Sequence, residues 1–188
     1  MKTQSTALYV LRLALTLLII TALVAALLAG VNSITKPIID ALKEAKTQAA
    51  INAVLPGGGQ SIEFTDSTGL VSKVYASDKG YAVQVAPSGF DGEIAMMVGI
   101  DKEGKVIAIS IISHTETAGL GAVAAANTSA GEAVRGQFEG LSGTLAVSKD
   151  GGEIDAITGA TITSRAVTAG VNAALACVAG IEEGGTLL

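Results

Sequence analysis

The chain has 188 residues, of which 49% are hydrophobic and 3% are aromatic, and its formal net charge at neutral pH is −5. This length accommodates one membrane segment and one domain of ordinary size. An acidic chain without tryptophan lacks the basic, aromatic surface that nucleic acids require, so we expect no nucleic-acid partner. The single cysteine, Cys177, excludes a disulfide within the chain and falls in an apolar helical pattern that favours a role as core filler.

Residues 1–35 form the first predicted segment, and no charged residue occurs from Leu13 to Thr35. About 20 consecutive apolar residues cross a bilayer as a helix, so we predict a transmembrane helix over residues 13–33. A cleaved signal peptide is the alternative, but its apolar core is normally ~7–15 residues and ends at a small-x-small site. Basic residues flank the stretch on both sides, so charge alone leaves the orientation open.

Residues 36–59 are predicted to connect this anchor to a globular domain. Pro37 suits the first turn of a helix, and apolar residues at helical spacing follow it, so a second helix is expected to start there. The run Pro56-Gly57-Gly58-Gly59 is predicted to end that helix and to form a Gly-rich joint.

Residues 60–188 contain short β-type segments and two helical ones, which predicts an α+β domain with a mostly antiparallel sheet. The loop Asp101–Gly104 between two apolar runs predicts a hairpin. The predicted strands cover residues 62–65, 71–76, 81–86, 93–100, 105–113 and 145–148. The predicted helices cover residues 130–138 and 164–179.

A stretch rich in hydroxyls and small residues, Asp155–Thr163, precedes the last predicted helix. The N-terminus of a helix presents unpaired N–H groups and a partial positive charge, which suits a phosphate. Gly159 and Ala160 allow the backbone to approach a ligand closely, and Thr161 places a hydroxyl beside it. Ser and Thr also cluster at helix N-caps, so the residues alone leave a phosphate site and a simple cap both open.

The string Asp155-x-x-Thr158-Gly159-Ala160-Thr161 resembles the flavinylation motif of FMN-binding domains. The resemblance implies that Thr161 carries FMN through a phosphoester bond and that Thr158, Gly159 and Ala160 complete the cofactor-binding motif. It also implies a partner during maturation, a separate Mg-dependent flavin transferase that uses FAD as the FMN donor. Asp155 is then expected to be recognised by that transferase and not to take part in electron transfer.

A second motif, His114–Gly121, follows a predicted strand and reads His-x-Glu-Thr-x-Gly-Leu-Gly. Together with Phe90–Ile94 and the anchor, it resembles the G subunit of the Rnf ion-translocating electron-transfer complex, although Ala118 stands where proline is usual. The resemblance implies that four residues of this loop lie beside the flavin: Glu116, Thr117, Gly119 and Leu120.

The same resemblance implies an electron-carrying redox component of a membrane-bound ferredoxin:NAD+ oxidoreductase (a translocase), and not a stand-alone catalyst. The implied partners are the other subunits of that complex. The implied location is the cell membrane, crossed once, with the globular domain on the extracytoplasmic side. Two alternatives remain open. One is an FMN domain similar to the C subunit of the sodium-pumping NADH:quinone reductase, and the other is an anchored assembly module without redox function.

Two further features have simpler interpretations. His114 is the only histidine, so we expect no histidine-based metal site. It fits either a proton carrier, with an ordinary pKa of ~6.5, or a hydrogen-bonding anchor at a strand end. The sequence Gly119-x-Gly121-x-x-Ala124 matches a loose dinucleotide fingerprint, but the predicted antiparallel sheet lacks the βαβ unit that such a site requires.

Overall fold

A computed structural model describes residues 6–66 and 68–184, with side chains described from residue 8 onward. The first five residues of the predicted N-terminal segment and the last four of the predicted globular domain lie outside the described residues. The chain divides into two compact units, Met1–Ala45 and Lys46–Leu188.

The described part of the first unit is helical and belongs to helix α1 (Thr6–Val54), whose last residues lie in the second unit. Large apolar side chains are exposed along the predicted span, such as Leu17 at 65% and Leu27 at 63%. The helix is long and apolar enough to cross a membrane. An apolar surface of this length is stable only when lipid or protein covers it, which agrees with the predicted anchor.

The predicted second helix does not start at Pro37, because this residue lies inside α1. A proline removes one backbone hydrogen bond and crowds the preceding turn, but it is a probable and not a certain helix boundary. No glycine occurs between Gly30 and Gly57, and residues 38–54 keep their helical spacing. The helix therefore continues to Val54, where the Gly-rich run, with positive φ at Gly57 and Gly58, follows it.

The second unit is built on a five-stranded sheet in which each strand pairs antiparallel with its neighbour in sequence. The strands are β1 (Gln60–Ile62), β2 (Val71–Ser77), β3 (Gly80–Val85), β4 (Ala95–Asp101) and β5 (Val106–Ser113). Successive residues of β4 enter different cores, Met96 on one face of the sheet and Met97 on the other. The predicted α+β class with a mostly antiparallel sheet is confirmed.

Each face of the sheet is covered by a helix. One face packs against α3 (Thr161–Gly184), which buries Val171 and Ala174 completely. The other face packs against the end of α1, where Val54 is fully buried. Gly99 of β4 permits this approach, because a Cβ there would collide with the carbonyl of Val54. The sheet thereby supports α3, whose first turn contributes to the site described below.

The segment between β5 and α3 contains one short helix and two 3₁₀ turns. Helix α2 (Ser129–Gly136) is capped by Thr128, whose hydroxyl accepts the N–H of Gly131. The 3₁₀ turns cover Gly121–Ala125 and Ser148–Asp150.

Two predictions for this region are not confirmed, the strand at residues 145–148 and the helix start at Ser164. The strand predicted at residues 145–148 is wrong, since Val147 forms only an isolated bridge with Ile154. The turn that follows it ends in Gly151 with φ of 85°. This turn reverses the chain, so no further residues pair as a strand. Helix α3 begins at Thr161 and not at Ser164, so the predicted phosphate-binding hydroxyl lies on the first helical residue.

Candidate functional site

The loop after β5 and the loop before α3 meet over a cleft of about 300 Å³. Clefts that bind small molecules are typically ~300–1,000 Å³, so the volume of this cleft lies at the lower end of that range. Both apolar and polar groups line it, and they come from the two motifs of the sequence. The lining residues are Phe90, Glu116, Thr117, Leu120, Gly121, Lys149, Gly159, Ala160, Thr161, Ile162 and Thr163.

The hydroxyl of Thr161 lies at the start of α3 and lines the cleft. The turn before it contains Gly159 with φ of 78°, a conformation that favours glycine. Ser164 ties the preceding turn to the helix: its hydroxyl accepts the N–H of Ile157 at 2.9 Å and donates to the carbonyl of Ala160 at 3.1 Å. The hydroxyl of Thr161 takes no part in these bonds.

Lys149 brings a positive charge to the same place. Its Nζ donates a hydrogen bond to Oγ1 of Thr161 at 2.9 Å. The turn that carries Lys149 is tied to α3 by Arg165, which donates to the carboxylate of Asp150 at 2.7 Å from Nε and 2.6 Å from Nη2. This pairing with Arg165 holds the pKa of Asp150 below its ordinary value. A cation and a helix N-terminus thus converge beside one hydroxyl, which suits a bound anion.

Glu116 lies beneath the cleft with 7% of its surface exposed. One carboxylate oxygen accepts the N–H groups of Phe90 at 2.7 Å and Asp91 at 3.3 Å, and the other accepts the hydroxyl of Thr163 at 2.5 Å. A Cβ at Gly121 would collide with this carboxylate, so a glycine is needed there. The carboxylate therefore joins three segments: the loop before β4, the loop after β5 and the first turn of α3.

The charge state of Glu116 follows from these contacts. Burial by itself raises the pKa of the carboxyl, because it penalises the charged form. The hydrogen bond from Thr163 and those from Asp91 and Phe90 outweigh burial, and nearby His114 adds to them. The net result is a pKa below the ordinary value, so Glu116 is an anion at neutral pH whose oxygens are already occupied by donors.

The Nδ1 atom of His114 does not make the hydrogen bond that is expected of an anchor at a strand end. This nitrogen is buried and has no hydrogen-bond partner within the described part of the chain. The imidazole ring is half-buried beside the Glu116 loop, and its effect on the site is the electrostatic one noted for the Glu116 carboxyl.

Three large apolar side chains of the cleft are exposed: Phe90 at 67%, Leu120 at 42% and Ile162 at 50%. A group of exposed apolar side chains around one cleft is typical of a binding surface. Leu120 also approaches Gly159, because a Cβ at that glycine would lie 3.1 Å from Cδ2 of the leucine. The two sequence motifs are therefore in contact, and their apolar side chains could cover a flat aromatic ligand.

A second cleft of the same unit, of about 430 Å³, has a different character. Its lining includes the carboxylates of Glu103, Glu182 and Glu183. Like charges repel, so this lining disfavours a phosphate. Of these two clefts, charge favours the one beside Lys149 for an anionic ligand.

The structure brings most of the predicted site residues together. Six of them line the cleft: Glu116, Thr117, Leu120, Gly159, Ala160 and Thr161. Three lie exposed outside its lining: Asp155, Thr158 and Gly119. Gly119 has φ of 75°, so it supplies the turn that presents Leu120.

The prediction missed five lining residues: Phe90, Gly121, Lys149, Ile162 and Thr163. All of these except Lys149 lie within the stretches that the sequence analysis singled out, so position in the motif was the available signal. Lys149 lies 12 residues before Thr161 in no recognised motif, and only the turn at Ser148–Asp150 brings the two together.

Residues 89–176 match the FMN-binding domain, and both loops of the cleft fall within this range. The fold and the cleft therefore define an FMN-binding domain. The G subunit of the Na(+)-translocating ferredoxin:NAD(+) oxidoreductase complex of Acetobacterium woodii is 33% identical to this chain over 186 residues. The matched region covers 87% of this chain and 88% of that protein. The chain belongs to the family of G subunits of ion-translocating oxidoreductase complexes.

Two further relatives are also G subunits of such complexes. The G subunit of the proton-translocating ferredoxin:NAD(+) oxidoreductase complex of Clostridium ljungdahlii is 44% identical over 110 residues, or 54% of this chain and 57% of that protein. The G subunit of the ion-translocating oxidoreductase complex of Haemophilus influenzae (strain PittEE) is 33% identical over 156 residues, or 74% of this chain and 75% of that protein.

The donor set of the cleft fits FMN. The ammonium group of Lys149 and the N-terminus of α3 suit the phosphate. The exposed side chains of Phe90, Leu120 and Ile162 suit the flat, largely apolar ring system.

Proposed function

We propose that this protein is the electron-relaying component of a membrane-bound, Rnf-type ferredoxin:NAD+ oxidoreductase, and that it carries FMN joined to Thr161 by a phosphoester bond. One observation carries the covalent part of the proposal. Thr161 lines the cleft at the N-terminus of α3, and its hydroxyl accepts a hydrogen bond from the ammonium group of Lys149. The relatives named above are all G subunits, which favours this assignment over a protein similar to the C subunit of the NADH:quinone reductase.

The chain's own residues would bind and orient the cofactor. FMN, when bound, supplies the redox chemistry by accepting and donating electrons. Lys149 and the N–H groups at the start of α3 would hold the phosphate, and Leu120 with its apolar neighbours would hold the ring. Glu116, on the loop after β5, would hold the cleft together from below, since its carboxylate accepts hydrogen bonds from the loop before β4 and from the first turn of α3.

A flavin transferase is the proposed partner during maturation, and Asp155 is its proposed recognition point. The residue is exposed, and Gln137 holds its backbone by accepting its N–H at 2.6 Å and donating to its carbonyl at 3.4 Å. The carboxylate of Asp155 makes no hydrogen bond to any described residue, so it is available to another protein. A rigid backbone with a free charge is suited to recognition by a second protein.

The proposed organisation is an anchor in residues 1–35 with its span at about residues 13–33, a connector in residues 36–59 and the FMN domain in residues 60–188. The chain would cross the cell membrane once, with the FMN domain on the extracytoplasmic side, where it would dock on the other subunits. The exposed apolar surface of α1 supports the membrane part of this proposal.

The test is flavin fluorescence of the full chain in a denaturing gel, after co-expression with a flavin transferase. We expect a fluorescent wild-type band, a dark Thr161→Ala band and a fluorescent Thr161→Ser band, because serine keeps the acceptor hydroxyl. Mass spectrometry of the labelled peptide would confirm the position.

The outcomes separate the candidate functions. A fluorescent Thr161→Ala band would move the acceptor to another residue, such as Thr158 or Thr163. A dark wild-type band, with a transferase shown to be active on another acceptor, would contradict the electron-relay proposal and favour an anchored assembly module.

A further inference from the structure

The ammonium group of Lys149 and the hydroxyl of Thr161 are in direct contact, with 2.9 Å between Nζ and Oγ1. Lys149 is exposed, and this is its hydrogen bond within the described part of the chain. An exposed lysine side chain loses considerable rotamer entropy when it is held in one position. A lysine that is nevertheless placed on the proposed acceptor atom suggests a function at that atom.

The backbone around Lys149 is closely held. The N–H groups of Asp150 and Gly152 both bond to the carbonyl of Val147, at 2.8 and 3.0 Å, and that of Ser148 bonds to the carbonyl of Ile154 at 2.7 Å. A Cβ at Gly152 would collide with the carbonyl of Ala146, so the turn is as tight as a glycine permits.

The neighbouring charges leave Lys149 free to meet an anion. The carboxylate of Asp150, the next residue, is engaged by two hydrogen bonds from Arg165. The carboxylate of Glu116, on the same cleft, is engaged by Phe90 and Thr163. Of the residues that line the cleft, Lys149 is the one with a basic side chain.

We propose that Lys149 is a positioning and charge-pairing residue for the attachment of FMN to Thr161, an inference that rests on the function proposed above. In this step the oxygen of Thr161 forms a bond to the phosphorus of the FMN moiety of FAD. The bond from that phosphorus to the AMP oxygen breaks, AMP leaves, and the hydroxyl proton is released. No electron is transferred in this step.

Lys149 contributes to this step in two ways. Its hydrogen bond occupies one lone pair of the acceptor oxygen, which fixes the direction in which the other lone pair and the proton point. Its charge then lies beside the phosphoryl oxygens, where negative charge is concentrated during the transfer and in the product.

The experiment measures the initial rate of flavin attachment to the full chain in detergent, with purified transferase, FAD and Mg²⁺, by in-gel fluorescence. The variants are Lys149→Met, which removes the charge at similar length, and Lys149→Arg, which keeps the charge. Lys102→Met is the matched control, because Lys102 is also exposed but does not line the cleft. The rate is measured against the concentration of acceptor protein, so that kcat and KM are separated.

We expect Lys149→Met to lower kcat by about tenfold or more, with little change in KM or in the thermal unfolding midpoint. Lys149→Arg should restore most of kcat, and Lys102→Met should behave as the wild type. The inference is overturned if Lys149→Met keeps the wild-type kcat, if only KM rises, if arginine is as slow as methionine, or if the unfolding midpoint falls in parallel. A wild-type protein that takes up no flavin would overturn the proposed function itself, which is a different result from normal labelling of the methionine variant.

Discussion

The buried carboxylate of Glu116 should be the largest single contributor to the stability of the site. Replacement by alanine removes two short hydrogen bonds, from the N–H of Phe90 at 2.7 Å and the hydroxyl of Thr163 at 2.5 Å, and a longer one from Asp91 at 3.3 Å. Thr163 is 1% exposed, so its hydroxyl would lose its partner without access to water, at a cost of ~1–3 kcal/mol.

The two backbone N–H groups that donate to Glu116 belong to exposed residues, Phe90 and Asp91, so water can partly replace these two hydrogen bonds. They should add only ~1 kcal/mol, which gives a total loss of about 2–4 kcal/mol for Glu116→Ala. Glu116→Gln keeps the shape and an acceptor oxygen but loses the charge, so it should cost less, about 1–2 kcal/mol.

The assay is urea unfolding of the full chain in detergent, followed by circular dichroism, with Glu139→Gln as the matched control. Glu139 is exposed, so its substitution should change the free energy of unfolding by less than ~0.5 kcal/mol. If Glu116→Ala were as stable as this control, or if glutamine were as harmful as alanine, the assignment of Glu116 as the charged link between the loops would be refuted.

Two other predictions follow from pKa directions. The pKa of Glu116 is lowered in the folded state, so its charge stabilises the fold fully above the unfolded pKa, near 4.5, and this contribution is lost as the pH falls through the folded pKa. The difference in unfolding free energy between wild type and Glu116→Gln should therefore be constant from neutral pH to about pH 5 and shrink in more acidic solution, as urea titrations at each pH would show. Burial raises the pKa of the Cys177 thiol to about 11, so a thiol reagent at about pH 8 should react with it only after unfolding; rapid reaction in the native state would contradict its place in the core.

The sheet could be predicted because its signals are local. Short apolar runs separated by turn residues predict four of the five strands to within two residues at their ends, whereas the strand predicted at residues 62–65 shares only Ile62 with β1. The strand predicted at residues 145–148 failed because a single apolar run does not reveal whether a partner strand is available. Here the chain turns at Ser148–Asp150, and Val147 finds only Ile154.

Helix boundaries depended on chemistry that the sequence pattern shows only ambiguously. Pro37 indicates the start of a new helix, but apolar residues keep helical spacing on both sides of it, and α1 continues through this proline. The sequence pattern predicts that α3 starts at Ser164, yet the hydroxyl of this residue bonds back to Ile157 and Ala160 and lies inside the first turn. The start is therefore at Thr161, and this shift matters because it places the proposed acceptor at the positive end of the helix.

The site itself combines predictable and unpredictable parts. Both motifs could be found in the sequence, but the contact between them could not, because Glu116 and Thr163 are 47 residues apart and meet only through the packing of α3 on the sheet. The same holds for Lys149, whose position depends on a turn and on the pair formed by Asp150 and Arg165.

These contacts explain how an exposed cleft can hold a redox cofactor without enclosing it. The side of the cleft formed by Phe90, Leu120 and Ile162 is exposed, so a flat ring held there by noncovalent contacts alone would stay partly uncovered. An electron-relaying protein needs that open side, because its cofactor must come close to the cofactors of partner subunits. An ester bond at Thr161 would retain the flavin while its ring stays exposed. The rigid base formed by Glu116 would then hold the ring in one orientation toward its partners.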